Sequence, residues 1–267
     1  MSDAVLVPLV GWGPDRLREL DAFFRLWART DAGHVSYWHT GFMYAVTEDR
    51  KLVPLVRYSG LFRLFVEPRE RAYRVTVADA VMFSDAAGDS DAPLDTFRNP
   101  ITGRTVTVRH FFEGPFTFEA TESAERLVVD GGPAPAIPFR RRRWQQFGSH
   151  VVVSRDIYDV PTPVETRVPA AVATPQLITL ATFSASLAEL RDSRSSGVAN
   201  TILSQQFAGP LMPWLDMSDR AGTAVSCGTG QRIAPDLSNL PRALRARVVR
   251  VHPAILRSAE HWPRASP

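Results

Sequence analysis

The chain has almost no cysteine and almost no lysine. Cys227 is the only cysteine among 267 residues. That excludes an intrachain disulfide and a cysteine-built metal site, and it fits a reducing, cytoplasmic setting. Lys51 is the only lysine, so arginine carries nearly all the positive charge. An arginine-for-lysine exchange at solvated sites explains this, and it is not evidence of arginine chemistry. The net charge is only +3. The run Arg140 to Arg143 therefore reads as a strand start with solvated or ion-paired alternate residues. No nucleic-acid module accompanies it. No apolar run approaches the about 20 residues of a membrane helix, and residues 1–14 lack the basic start and apolar run of a signal peptide. There is no G-x-S-x-G elbow. There is no Rossmann fingerprint, and no P-loop lysine beside Gly228-Thr229-Gly230. No cofactor is expected, and no metal.

What is present is ordinary globular material, 45% hydrophobic and 22% charged, enough to bury a core without staples. Residues 14–29 have the clearest helical pattern. Pro14 suits the first helical position, and Asp15 and Glu19 suit the positive end of the helix dipole. Leu17, Leu20, Phe24 and Trp27 form one apolar stripe. From about residue 34 the period changes to two. His34 to Thr47 reads as a strand, with Trp38, Thr40, Phe42, Tyr44 and Val46 on one face and Tyr37, His39, Gly41 and Met43 on the other. Neither face is polar, so both are expected to be covered. Short strands separated by turn clusters follow, the signature of antiparallel pairing. Leu211 to Met217 and Thr223 to Ile233 read as the last strands, and Pro241 to Val251 as a basic helix. The proline-rich stretch 160–175 reads as a crossover within one domain. The expected architecture is mainly β: a single antiparallel β-barrel domain over residues 1–267, lipocalin-like or calycin-like. The N-terminal helix should lie on its outside or across one end, with a short helix near the C-terminus.

The one unusual local pattern is Asn99-Pro100-Ile101-Thr102-Gly103, which feeds a strand ending in His110. Asparagine bonds the backbone two residues on, proline presets φ, and Gly103 can take positive φ, so a shaped turn accounts for it. Together with Tyr37-Trp38-x-x-Gly41-x-x-Tyr44 upstream, it resembles the bacterial domain-of-unknown-function family 1838. Pro213-Trp214-Leu215-Asp216-Met217, then Gly222, Gly228 and Gly230, then Leu240-Pro241, follow that family's order. Phe97 stands where the family usually has tryptophan. The usual acidic turn ahead of it is replaced by Asp85 to Asp91. The resemblance spans about Leu20 to Trp262. It implies a fold and no established reaction.

Few residues stand out chemically. His110, on the parity of Val106, Val108 and Phe112, is the candidate acid–base group. Arg98 is the candidate counter-charge, and Asn99 would sit with it at a barrel mouth. His39 could pair with Tyr37. A metal site from His39, His110 and Glu119 has no supporting local spacing. Inward aromatics are expected to line a cavity, with Trp38, Tyr44, Asn99 and Trp144 as substrate-binding residues. The function expected is a cofactor-independent cyclase or isomerase of secondary metabolism, acting on a polyketide- or terpenoid-like substrate. A non-catalytic carrier of the same ligands is the alternative. The expected partner is a small apolar ligand or substrate, with neither nucleic acid nor membrane; a homodimer is compatible.

Overall fold

A computed structural model describes residues 19–88, 91–129, 132–138, 142–158, 178–209, 211–217 and 222–262. Helix α1 runs from Glu19 to Trp27. Residues 14–18, the expected first turn, lie outside the described residues. Three long strands follow: β1 Gly33–Thr47, β2 Leu52–Arg69 and β3 Ala72–Asp85. A small hairpin comes next, β4 Thr96–Arg98 and β5 Thr105–Thr107. Then come β6 Phe111–Ala120, β7 Ala124–Val129, β8 Gly132–Pro138, β9 Arg143–Phe147 and β10 His150–Tyr158. The remaining elements are β11 Ile178–Ser186, α2 Leu187–Arg191, β12 Ile202–Gly209, β13 Gly222–Ile233 and α3 Arg242–Val251.

Eleven of the strands form one antiparallel sheet in the order β8-β7-β6-β3-β2-β1-β13-β12-β11-β10-β9. The mainly β, antiparallel expectation holds. A closed barrel is not found, because no pairing joins β8 to β9 among the described residues. The sheet does curl. Glu125 on β7 forms an ion pair with Arg155 on β10, strands eight positions apart in the sheet. At about 4.8 Å per strand, a flat sheet would hold them roughly 38 Å apart. The crossover stretch 160–175 lies outside the described residues, but β10 and β11 on either side of it are paired neighbours.

Helix α1 lies on the inner face of this curl, not on its outside. Phe24 stacks on Tyr73 of β3 at 3.9 Å between ring centres, Trp27 on Phe118 of β6 at 5.9 Å, and Phe23 packs edge-on to Phe183 of β11 at 6.1 Å. One helix therefore touches strands from both halves of the sheet. The sequence reason is its apolar content, since Leu20, Phe23, Phe24, Leu26 and Trp27 are all buried. A side chain of this size contributes about 1.5–3 kcal/mol on burial, which a helix lying on one outer surface could not collect on so many sides. Arg142 and Arg155 lie over the Phe23 ring. Burial drops the Arg142 pKa to about 10. The basic run thus alternates a buried guanidinium, Arg142, ion-paired with Glu19, with an exposed one, Arg143, at the start of β9.

The outer face is covered at one end by α3 and the C-terminal turns. Leu61, Ala80, Met82, Leu244, Val248, Ile255 and Trp262 form that cluster. Arg63 of β2 locks it by donating to the carbonyls of Ile255 and Arg257 at 2.7 and 2.6 Å. Residues Leu211 to Met217, read as a strand, form a 3-10 turn over Pro213–Leu215 instead. Strand β12 had no counterpart in the sequence reading.

Candidate functional site

Strand register places the inner-face residues in rows across the sheet. One row is Leu203, Gly230, His39, Gly60 and Val81, on β12, β13, β1, β2 and β3. The next row is Gln205, Gly228, Gly41, Tyr58 and Phe83. Asp79 belongs to the row of Tyr37 and Phe62. Two rings lie down over glycines in these rows. The His39 ring crosses Gly60 toward β3, and Tyr58 crosses Gly41 and Gly228 toward β13. A Cβ at Gly60 would overlap the imidazole, and one at Gly41 or Gly228 would overlap the Tyr58 hydroxyl. These glycines are needed for space.

The imidazole that crosses Gly60 meets a carboxylate. Nε2 of His39 lies 2.9 Å from Oδ1 of Asp79. An ionised carboxylate only accepts hydrogen bonds, so Nε2 carries the hydrogen and donates it. His39 is 2% exposed while the Asp79 side chain is 21% exposed. The carboxylate is therefore the accessible member, and the imidazole is its buried support. Nδ1 of His39 is buried without a hydrogen-bond partner. The ring centres of His39 and Tyr58 are 5.9 Å apart. Tyr58 is 5% exposed, and its hydroxyl lies beside the Gln205 and Ser226 side chains. Burial raises its pKa, against the opposing effect of hydrogen bonding with those two side chains. Half-buried Phe62, Phe116 and Phe207 share this inner face. The result is an aromatic-rich inner face with one partly exposed carboxylate, a donor-bearing histidine and a buried phenol.

The six residues expected from sequence do not come together. Trp38 and Tyr44 do share a face, but it is the outer one. Trp38 packs against the α3 cluster, and Tyr44 lies beside Phe42 at 6.3 Å between ring centres. Trp144 is on the inner face, buried in the α1 cluster. His110 is not in a strand: β5 ends at Thr107 and β6 begins at Phe111. Its Nδ1 accepts the backbone N–H of Phe83 at 3.1 Å, standing in for a ladder bond that the loop cannot make. Burial lowers its pKa. Arg98 is exposed. Asn99 is fully buried and hydrogen-bonded through both ends of its amide. Its Nδ2 donates to the Leu215 carbonyl at 2.9 Å, and its Oδ1 accepts from the N–H groups of Ile101 and Thr102 at 2.8 and 3.3 Å. Gly103 takes φ of 71°. The turn motif is a structural pin between the β4–β5 hairpin and the 3-10 turn. Tyr37 does not meet His39 either; its hydroxyl donates to the Trp27 carbonyl at 2.7 Å, and burial raises its pKa to about 12. Among the described residues no cluster of three or more His, Cys, Asp or Glu could hold a metal.

A groove of about 340 Å³ does open, but on the outer face, lined by Thr40, Phe42, Ser204, Gln206, Cys227 and Thr229 among others. It offers hydroxyls, an amide and one exposed thiol, with no acid–base pair. The candidate site is therefore the inner face around His39 and Asp79. Sequence reasoning had named His39 but missed Asp79 and Tyr58. The only signal was the scatter of glycines in aromatic strands.

The chain belongs to the family described as "Protein of unknown function (DUF1838)", whose profile matches residues 32–265. No curated protein matches the chain. Among solved structures, the "Crystal structure of an N-terminal dehydratase from difficidin assembly line" covers 87% of this chain and 87% of its own, at 8% identity and a TM-score of 0.13. That likeness is too slight to carry an argument. No helix among the described residues is long and apolar enough to cross a membrane.

Proposed function

We propose that this protein is a cofactor-independent isomerase or cyclase of secondary metabolism, moving a proton on a small, largely apolar, polyketide- or terpenoid-like substrate. Asp79 is the catalytic base and His39 the positioning residue behind it. One observation carries the reading: a partly exposed carboxylate is held by a buried imidazole at 2.9 Å on an aromatic-rich inner face. A positioned acid–base group contributes about 10²–10⁴-fold, and holding the substrate in a reactive pose adds several kcal/mol more. Such chemistry needs no motif recognisable in sequence. The enclosure it needs is barrel-like, and the approach of β7 to β10 around α1 supports it. His39 fixes one carboxylate oxygen, which leaves the other for the substrate.

The test is proton exchange. The protein is incubated in D2O with a panel of small apolar ketones and 1,3-diketones, and deuterium uptake at the α-carbon is followed by NMR. Uptake well above the buffer rate, lost in Asp79→Asn, is expected. Tight binding of the same compounds without any exchange would make the protein a carrier and sink the enzyme reading.

A further inference from the structure

The structure assigns a second binding site, on the opposite face of the sheet from His39 and Asp79, for an uncharged oligosaccharide lying across the strands along a rank of hydroxyl side chains. Register makes the rank. Ser59, Thr40, Thr229, Ser204, Thr182 and Ser154 are successive partners on β2, β1, β13, β12, β11 and β10. They point outward, because the inward positions beside them are those of Gly60, His39, Gly230, Leu203 and Phe183. At about 4.8 Å per strand, the rank runs roughly 24 Å along the sheet. It is bounded by Met82 of β3, buried in the α3 cluster, and by exposed Arg143 of β9. The groove of about 340 Å³ opens at its centre, where Thr40, Thr229 and Ser204 are exposed. The neighbouring row, also in the groove, is Phe42, Cys227 and Gln206. Phe42 is 39% exposed there.

The ligand class follows from what these side chains can bind. The outward positions of 38–46, 223–231, 202–208 and 180–184 hold no Asp, Glu, Lys or Arg, in a chain that is 22% charged. Protein surfaces ordinarily intersperse charges of both signs, so this face is selectively neutral. Arg57, opposite Phe42 on β2, is engaged by the carbonyls of Asp85 and Gly88 and by the Asp91 carboxylate. A phosphate, a carboxylate or a nucleic acid would meet no cation in the groove. An apolar ligand would strip water from the hydroxyls and leave them unpaired. A protein surface is a poor match as well, since serine is depleted at interfaces. A sugar chain fits on each count. Its hydroxyls donate and accept, as serine and threonine hydroxyls and the Gln206 amide do. Thr40 Oγ1 already donates to the Tyr58 carbonyl at 3.0 Å, so toward the ligand it accepts. The exposed Phe42 ring gives the C–H face of a sugar a surface to pack on. The length of the rank calls for several rings rather than one. The site binds and does no chemistry.

The probes are maltohexaose and cellohexaose, uncharged chains of curved and extended shape, titrated calorimetrically into the full-length protein. At least one should bind, with glucose weaker by about ten-fold or more, since one ring uses only part of the rank. Thr229→Val combined with Ser204→Ala removes two exposed hydroxyls and should weaken binding by about five-fold or more at the parent melting temperature. Cys227 is the only cysteine and lies in the groove, so N-ethylmaleimide blocks the site without a substitution. It should abolish binding by the parent and leave Cys227→Ser binding as before. No binding of either chain overturns the inference, as does affinity unchanged by the double substitution or by the maleimide. Glucose binding as tightly as the chains also overturns it, by confining recognition to one ring. If neither sugar binds and sedimentation shows a dimer that Phe42→Arg splits, the face is a contact between copies and not a sugar site.

Discussion

Nε2 of His39 lies 2.9 Å from Oδ1 of Asp79, although the residues are 40 apart in the chain. The contact crosses one intervening strand and passes over Gly60. Gly60→Ala should therefore push the imidazole off its carboxylate. The Ala80 carbonyl crowds the same point, so the backbone cannot yield easily. Overpacking of this kind costs about 1–3 kcal/mol. Chemical denaturation should show that loss, and proton exchange should fall with it. Full stability together with full exchange would show that the ring does not need the space.

Asn99 should matter to stability alone. Asn99→Ala removes the bond to Leu215 and the two bonds from Ile101 and Thr102. It leaves those groups unsatisfied, at about 1–3 kcal/mol for each buried one. The melting temperature should drop while exchange per folded molecule stays at the parent rate. A variant that melts normally but loses exchange would return the turn to the site.

The Glu125–Arg155 pair tests the curl. Both side chains are 12% exposed, and Arg155 also lies over Phe23 and Trp27. Removing one partner of a buried pair typically costs about 3–5 kcal/mol, because the other charge is left unpaired. Glu125→Ala should therefore destabilise strongly in denaturant titrations. Glu125→Gln combined with Arg155→Met should recover much of the loss. Independent, small effects of the two changes would mean that the two halves of the sheet do not meet there.

Acid should destabilise the fold through its half-buried histidines. His34, His110 and His252 all have pKa values lowered, in each case chiefly by burial, from the ordinary 6.5. A base with a lowered folded pKa takes up its proton more readily when unfolded. Their contribution is thus complete above about pH 6.5 and is lost as pH falls from there through the lower folded values. His110→Ala should flatten part of that slope in denaturation curves taken from pH 7.5 downward. It should also lower stability at neutral pH, since the Phe83 N–H loses its acceptor. An unchanged slope would mean that His110 is not the half-buried base this geometry makes it.

Much of the architecture was legible because it is local. The stripe of Leu20, Phe24 and Trp27 gave the helix, and the 99–103 pattern gave the turn with Gly103 at positive φ. Strand parity correctly put Trp38 and Tyr44 together. It could not say which face turns inward, because α1 covers one face of β1 and α3 the other. His110 misled because Val106 and Val108 carry strand parity up to a loop in which the side chain replaces a backbone acceptor. The site itself was hidden for a physical reason. Asp79 and Tyr58 reach His39 only through register across three strands and through missing side chains at Gly41, Gly60 and Gly228. No short motif records such an arrangement.

The most direct test of the central claim compares α-deuterium exchange by wild type, Asp79→Asn and His110→Ala on the ketone and diketone panel, each normalised to folded protein. Exchange should fall by about 10²-fold or more in Asp79→Asn and persist in His110→Ala. Exchange that survives in Asp79→Asn and disappears in His110→Ala would contradict the account and move the chemistry away from the His39–Asp79 pair.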